Sequence, residues 1–164
     1  VVSLNHSPAE VVKQMHKLFI HNSRFTTFVT FFIGVFDPTT KPLTYCNAGH
    51  NPPIVLRHGE SGEGSLAWLE PTGAAIGLVE EAEFQEKTLP LHEGDLLVMY
   101  TDGVTEAIDA DFEAFGSQRL AVTIERLRHS APKQVVRGIR ESVEGFVGGR
   151  PLDDDTTVVV CRVA

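Results

Sequence analysis

Two short acidic runs hold the residues of this chain best suited to chemistry. The first is Tyr100-Thr101-Asp102-Gly103-Val104-Thr105-Glu106-Ala107. An apolar run, Leu96 to Tyr100, leads straight into Asp102, so the carboxylate stands at the mouth of a buried strand. A carboxylate there is costly unless it is hydrogen-bonded, paired or bound to a metal. The glycine after it lets the backbone turn tightly beside whatever the carboxylate holds. The second run is Leu152-Asp153-Asp154-Asp155-Thr156-Thr157, ahead of Val158-Val159-Val160. Three successive carboxylates repel one another, and magnesium, manganese and calcium take such oxygen ligands. Plain structural readings stand beside both. Asp102 suits the N-cap of a short helix over Val104 to Ile108, and Asp153 to Asp155 suit an exposed acidic turn. If the two strands are antiparallel neighbours, Asp102 at the end of one and Asp154 before the start of the other meet at the same sheet edge. Metal-assisted hydrolysis is built on such edges.

A third feature is the loop Asn47-Ala48-Gly49-His50-Asn51-Pro52-Pro53, whose prolines cannot donate to a strand ladder. Its plain reading is a rigid connection. The histidines show no metal-ligand spacing, and Cys46 and Cys161 form no zinc pattern or disulfide framework. Each cysteine is expected to be a buried small residue, and a reducing cytosol suits them. No phosphate-binding glycine loop and no serine nucleophile elbow is present.

The elements that must position these residues are legible in outline. Ser7-Pro8-Ala9-Glu10 opens a helix with the spacing of a capping box. Val11, Met15, Leu18 and Phe19 mark its apolar stripe, and it ends around His21 to Ser23. Thr26 to Phe36 reads as a strand, and apolar residues on both faces place it centrally in a sheet. Asp37 to Thr40 turns the chain into a return strand from Leu43, forming a hairpin. Ile54 to Arg57 and Leu66 to Leu69 read as strands around a turn at Gly59 to Gly64. Phe84 to Leu89 and Leu96 to Tyr100 follow, the second buried. Helical spacing then appears over Gly116 to Arg128 and from Ala131-Pro132 to Gly148. Thr157 to Val163 closes as a strand buried on both faces. Helix, antiparallel strands, two helices and a strand make an α+β layered domain, a single one over 1–164.

Composition bounds the partners. The chain has 164 residues and a net charge of −8. That acidity disfavours nucleic acid, whose binding rests on neutralising phosphates, and suits metal ions and protein partners. No apolar run reaches the ~18 residues of a membrane span, so no membrane insertion is expected. The first residues, Val1-Val2-Ser3, lack an initiator Met and any signal-like segment, and the chain is expected to be cut from something longer.

Taken together, the motifs resemble the bacterial sporulation stage II protein E-like and RsbU-like branch of the metal-dependent protein phosphatases (PPM, or phosphatase 2C-like). The matching segments are Arg24 to Phe28 with Gly34 to Asp37, Tyr45 to Pro53, Gly73 with Ile76-Gly77, Leu91 through Gly94-Asp95 to Met99 and on to Ala107, Phe115-Gly116, and Asp154 to Thr157. The resemblance implies an α-β-β-α four-layer sandwich, here N-terminally truncated. It implies hydrolysis of phosphoserine or phosphothreonine on a regulatory protein of the anti-anti-sigma type, by water activated between two Mn2+ or Mg2+ ions. Asp102 and Asp154 match the two later metal-binding aspartates of the family. Asp155, beside them, is a further candidate ligand, or an acceptor standing behind the other two. Gly103 borders the site, Asn47, Gly49 and Asn51 would shape its rim, and His50 would touch the residues around the metals.

The family's first motif, a glycine-flanked aspartate that bridges both metals, has no match in Val1 to Asn22, and the initial strands have none either. The resemblance therefore implies at most a weak partial metal site and impaired activity in this chain. An open sheet edge invites a homodimer or a domain swap. The expected setting is the cytoplasm, within a longer multidomain sensor protein. A non-catalytic regulatory or protein-binding module with the same fold is the alternative.

Overall fold

The computed structural model describes residues 7–22, 27–59 and 65–164. The segment Arg24 to Thr26 of the family match, the expected helix end at Ser23 and the expected turn over 60–64 lie outside the described residues. Two compact units make up the chain. The first comprises 1–52 and 69–91, the second 53–68 and 92–164.

The first unit begins with helix α1 (Pro8–Asn22). The expected capping box is formed: Ser7 Oγ accepts from the Glu10 N–H at 3.3 Å, and Glu10 Oε2 accepts from the Ser7 N–H at 3.0 Å. The stripe is displaced from the expected one. Pro8, Val12 and His16 are buried, whereas Met15 and Leu18 are exposed. A polar anchor decides the face. His16 Nδ1 accepts from the Gly77 N–H at 3.2 Å, which leaves Nε2 as the donor to Glu80 O at 3.1 Å. Apolar spacing alone does not reveal a histidine that is satisfied in this way.

Strands β1 (Phe31–Phe36), β2 (Pro42–Ala48) and β5 (Lys87–Pro90) form an antiparallel sheet in the order β1-β2-β5. The hairpin is as expected, and Asp37 closes it. Its Oδ1 accepts from the Thr39 N–H at 2.8 Å and its Oδ2 from the Thr40 hydroxyl at 2.6 Å, holding the carboxyl below its ordinary value. The central position expected for β1 is not found. Among the described residues β1 pairs only with β2, and Val35 and Phe36 are exposed. Residue type sets strand propensity, but neighbours set the place in the sheet. The strand expected from Phe84 begins only at Lys87, with Phe84 making an isolated bridge to Gly73. Val12, Cys46, Ala48 and Ile76 form this unit's core.

The second unit holds β3 (Ile54–Leu56), β4 (Leu66–Trp68), β6 (Leu96–Tyr100) and β7 (Val158–Arg162) in the order β4-β3-β6-β7, all antiparallel. Between β6 and β7 come α2 (Asp102–Thr105), α3 (Gly116–Arg126) and α4 (Pro132–Val147). Leu120, Ile124, Val135, Ile139 and Val143 pack with Ile54, Val98 and Tyr100 in one core, so α3 and α4 cover one face of the sheet. At ~25 cal/mol per Å2 of apolar surface this burial is the main force holding the unit together. The expectation that β7 is buried on both faces fails. Val158 and Val160 pack on the core, while Val159 and Cys161 are exposed. An edge strand with helices on one side has only one face to bury. Cys161 is therefore not the buried residue expected, whereas Cys46 is.

Candidate metal-binding edge

Strand β6 carries apolar residues at Leu96, Val98 and Tyr100 into the core, each fully or nearly buried. It leaves the sheet at Thr101, the N-cap of α2. Asp102 is the first residue of that helix and is exposed, so the reading of Asp102 as the N-cap is replaced by one in which its side chain is not a cap. The β6–β7 ladder ends with Tyr100 opposite Val158. Asp102 follows one strand end and Asp154 precedes the other strand's start, so both runs emerge at one edge of the sheet.

The two backbones touch there. A Cβ on Gly103 would stand 2.6 Å from Asp155 O and 3.4 Å from Asp154 O. Only glycine permits this approach without displacing the acidic turn. The Thr101 hydroxyl donates to Asp155 O at 3.1 Å and accepts from the Thr157 N–H at 2.9 Å. Asp102 Oδ1 accepts from the Gly103 N–H at 3.1 Å, and Asp154 Oδ1 from the Asp155 N–H at 2.7 Å. Each carboxylate thus spends one oxygen on the next amide, and among the described residues its Oδ2 makes no hydrogen bond or ion pair. Asp153, Asp154 and Asp155 are all exposed.

Exposed carboxylate oxygens with free lone pairs suit a hard cation, which prefers oxygen ligands and keeps several waters. The donor chemistry therefore fits Mn2+ or Mg2+. The count is short of a full cage: among the described residues no group of three His, Cys, Asp or Glu side chains is placed to hold one ion.

Asn47, Gly49, His50 and Asn51 belong to the first unit. Asn47 is fully buried and its side chain is committed there. Its Nδ2 donates to Leu69 O at 2.9 Å and His50 O at 3.0 Å, and its Oδ1 accepts from the His50 N–H at 2.8 Å. Gly49 adopts φ +69°, and a Cβ there would come within 2.9 Å of the Ala75 nitrogen. The His50 Nδ1 lies 3.4 Å from the Thr30 hydroxyl. Asn51 is half-buried. The loop is a rigid connection by its own hydrogen bonds, in line with its plain reading.

The sequence gives no hint of the buried bonding of Asp95, which it shows only as part of a matching segment, or of Arg162. Asp95 is buried at the start of β6, accepting from Arg57 Nη1 and the His58 N–H, both at 2.8 Å, and from the His92 N–H at 2.9 Å. Arg162 donates to Gly94 O, Arg128 O and Ser130 O at 2.8, 3.0 and 2.8 Å. Neither lies in a run whose composition stands out.

The family model of stage II sporulation protein E (SpoIIE) matches residues 1–164. Protein IcfG of Synechocystis is 36% identical over 80% of this chain and 20% of its own length. Phosphoserine phosphatase RsbU of Bacillus subtilis is 26% identical over 94% of this chain and 45% of its own length. The chain thus spans less than half the length of these relatives. The PP2C domain of SiaA from Pseudomonas aeruginosa superposes with a TM-score of 0.82 at 18% identity, covering 95% of this chain and 61% of that one. That likeness shows the α+β fold of the phosphatase domain. No helix among the described residues is long and apolar enough to cross a membrane. The chain belongs to the stage II sporulation protein E (SpoIIE) family of PP2C-type phosphatase domains.

Proposed function

We propose that this chain supplies the Asp102 and Asp154 share of the metal centre of a cytoplasmic protein serine/threonine phosphatase acting on phosphoserine or phosphothreonine of a regulatory protein. The supporting observation is the antiparallel β6–β7 pair, which ends at Tyr100 and Val158 and delivers both carboxylates to one edge with an oxygen to spare on each. In such a centre, bound Mn2+ or Mg2+ supplies activated water and neutralises charge on the phosphoryl oxygens. The chain's own residues bind and orient. Asp102 and Asp154 offer Oδ2, and the Gly103 and Asp155 amides fix the rotation of each carboxylate by holding Oδ1. Asp155 lies one step behind as a further acceptor. An exposed edge admits a phosphorylated side chain carried on a protein loop. The name of the relative RsbU, a phosphoserine phosphatase, supports the substrate class, and an anti-anti-sigma-type regulator is the proposed partner.

The test is hydrolysis of p-nitrophenyl phosphate and of a phosphoserine peptide, with and without Mn2+, beside a thermal melt over a manganese titration. Metal-dependent turnover lost in Asp102→Asn supports the catalytic reading. Equal stabilisation of wild type and Asp102→Asn/Asp154→Asn by manganese overturns the metal assignment, and phosphoprotein binding without turnover supports the binding-module alternative. A homodimer is proposed across the β1 edge, where Val35 and Phe36 are exposed. Light scattering that finds only monomer at low concentration removes it.

A further inference from the structure

The metal-binding edge has a tie that neither carboxylate provides. Beyond Tyr100 and Val158 the two chains part, one into α2 and the other into the acidic turn. Thr101 spans the gap. Its N–H donates to Thr157 O at 3.1 Å, its hydroxyl accepts from the Thr157 N–H at 2.9 Å, and the same hydroxyl donates to Asp155 O at 3.1 Å. One oxygen therefore both gives and takes a hydrogen bond across the opening, which only a hydroxyl can do at such distances. The bond to Asp155 O joins residues directly flanking the two carboxylates: Thr101 precedes Asp102, and Asp155 follows Asp154. Behind the hydroxyl, the bare Cα of Gly103 lets the Asp155 carbonyl approach. The tie is partly exposed, so its contribution to overall stability is modest, whereas its leverage on the spacing of Asp102 and Asp154 is direct.

We propose that Thr101 is a positioning residue whose hydroxyl, bridging Asp155 O and the Thr157 N–H, sets the separation of the Asp102 and Asp154 carboxylates and through it the affinity for a divalent cation. This rests on the metal reading given above. A cation held by few protein ligands gains most from ligands already in place, because ordering them on binding subtracts from affinity. Thr101→Val keeps the shape and removes the bridge. Thr101→Ser keeps the bridge and removes the methyl.

Calorimetric titration of the chain with MnCl2, together with amide exchange at Thr157, separates the outcomes. The expected result is an Mn2+ affinity about 10-fold weaker in Thr101→Val, as the loss of one or two hydrogen bonds gives. Thr101→Ser should stay within about 2-fold of wild type, and the Thr157 amide should exchange faster only in the valine variant. Thr157→Pro removes the N–H from the other side, at a position ahead of β7 where proline is tolerated. It should reproduce the loss, and it carries the test if Thr101→Val does not fold. A folded Thr101→Val with wild-type Mn2+ affinity overturns the proposal while leaving the metal reading intact, since a merely structural hydroxyl would alter the melt alone. A wild-type chain that binds no Mn2+ overturns the metal reading, and the proposal with it.

Discussion

The two ends of strand β6 each carry an aspartate, and the fold treats them in opposite ways. Asp95, at the entrance, is 1% exposed and its oxygens meet Arg57 and the amides of His58 and His92. Asp102, just past the exit, is exposed, and among the described residues its carboxylate bonds the neighbouring Gly103 N–H alone. Saturation makes Asp95 part of the scaffold: three donors offset its desolvation and hold its carboxyl below the ordinary value of 3.8 even though burial pulls the other way. The spare oxygen on Asp102 makes it available to a ligand. On the proposed metal reading, burial with saturated oxygens marks the structural aspartate, and exposure with a spare oxygen marks the one that would hold a cation.

The largest effect that would sharpen this contrast is expected from Asp95→Asn. It removes the charge from a buried carboxylate that Arg57 and two amides satisfy and should cost about 3 kcal/mol in urea unfolding, with Mn2+ affinity unchanged. The same variant should lose a pH effect. Because the folded pKa of Asp95 is depressed, its stabilisation is complete above the unfolded value near 3.8 and is lost as pH falls through the folded one. Acid unfolding of wild type should therefore show a slope that Asp95→Asn lacks; identical slopes would refute the saturated-carboxylate account.

Next in size is Gly103→Ala. Its Cβ would press on Asp155 O, so a loss of about 2 kcal/mol is expected, and here Mn2+ binding should weaken as well because the acidic turn must move. The smallest effect belongs to Asp102→Asn with Asp154→Asn. Removing repulsion between exposed carboxylates should leave metal-free stability unchanged or raised by no more than about 0.5 kcal/mol. A large loss of stability there would show that Asp102 is scaffold after all and would erase the difference between the two ends.

The sequence made the exit of β6 legible and its entrance obscure, for physical reasons. An apolar run followed by Thr-Asp-Gly, and a second one preceded by three aspartates, are anomalies of composition that mark a candidate site before any pairing is known. Asp95 follows a Glu-Gly turn and looks like an ordinary turn residue, because its partners Arg57 and His58 arrive from a strand far back in the chain. His16 is obscure in the sequence for the same reason: its partners lie in a distant loop at Gly77 and Glu80. Helices α3 and α4 were read nearly to their ends because local periodicity records the core they face. The place of β1 and β7 at sheet edges was not, since alternation reports faces and not neighbours. The motif at Asn47 was recognised, but that its amide closes its own loop emerges only from the hydrogen bonds to Leu69 and His50.

The pairing of β6 with β7 also dictates when the acidic edge comes into being. All of α2, α3 and α4 lies between the two strands, so their ladder is among the most non-local contacts of the unit, and its loop-closure entropy must be met before it forms. During synthesis Asp102 leaves the ribosome long before Asp154, and no strand exists to seat the acidic turn until the last residues of β7 are free. A nascent chain without β7 therefore exposes Asp102 with no acidic turn seated beside it. Folding itself acts as the gate: the edge is assembled only when β7 pairs with β6, across the whole helical layer that lies between them in sequence.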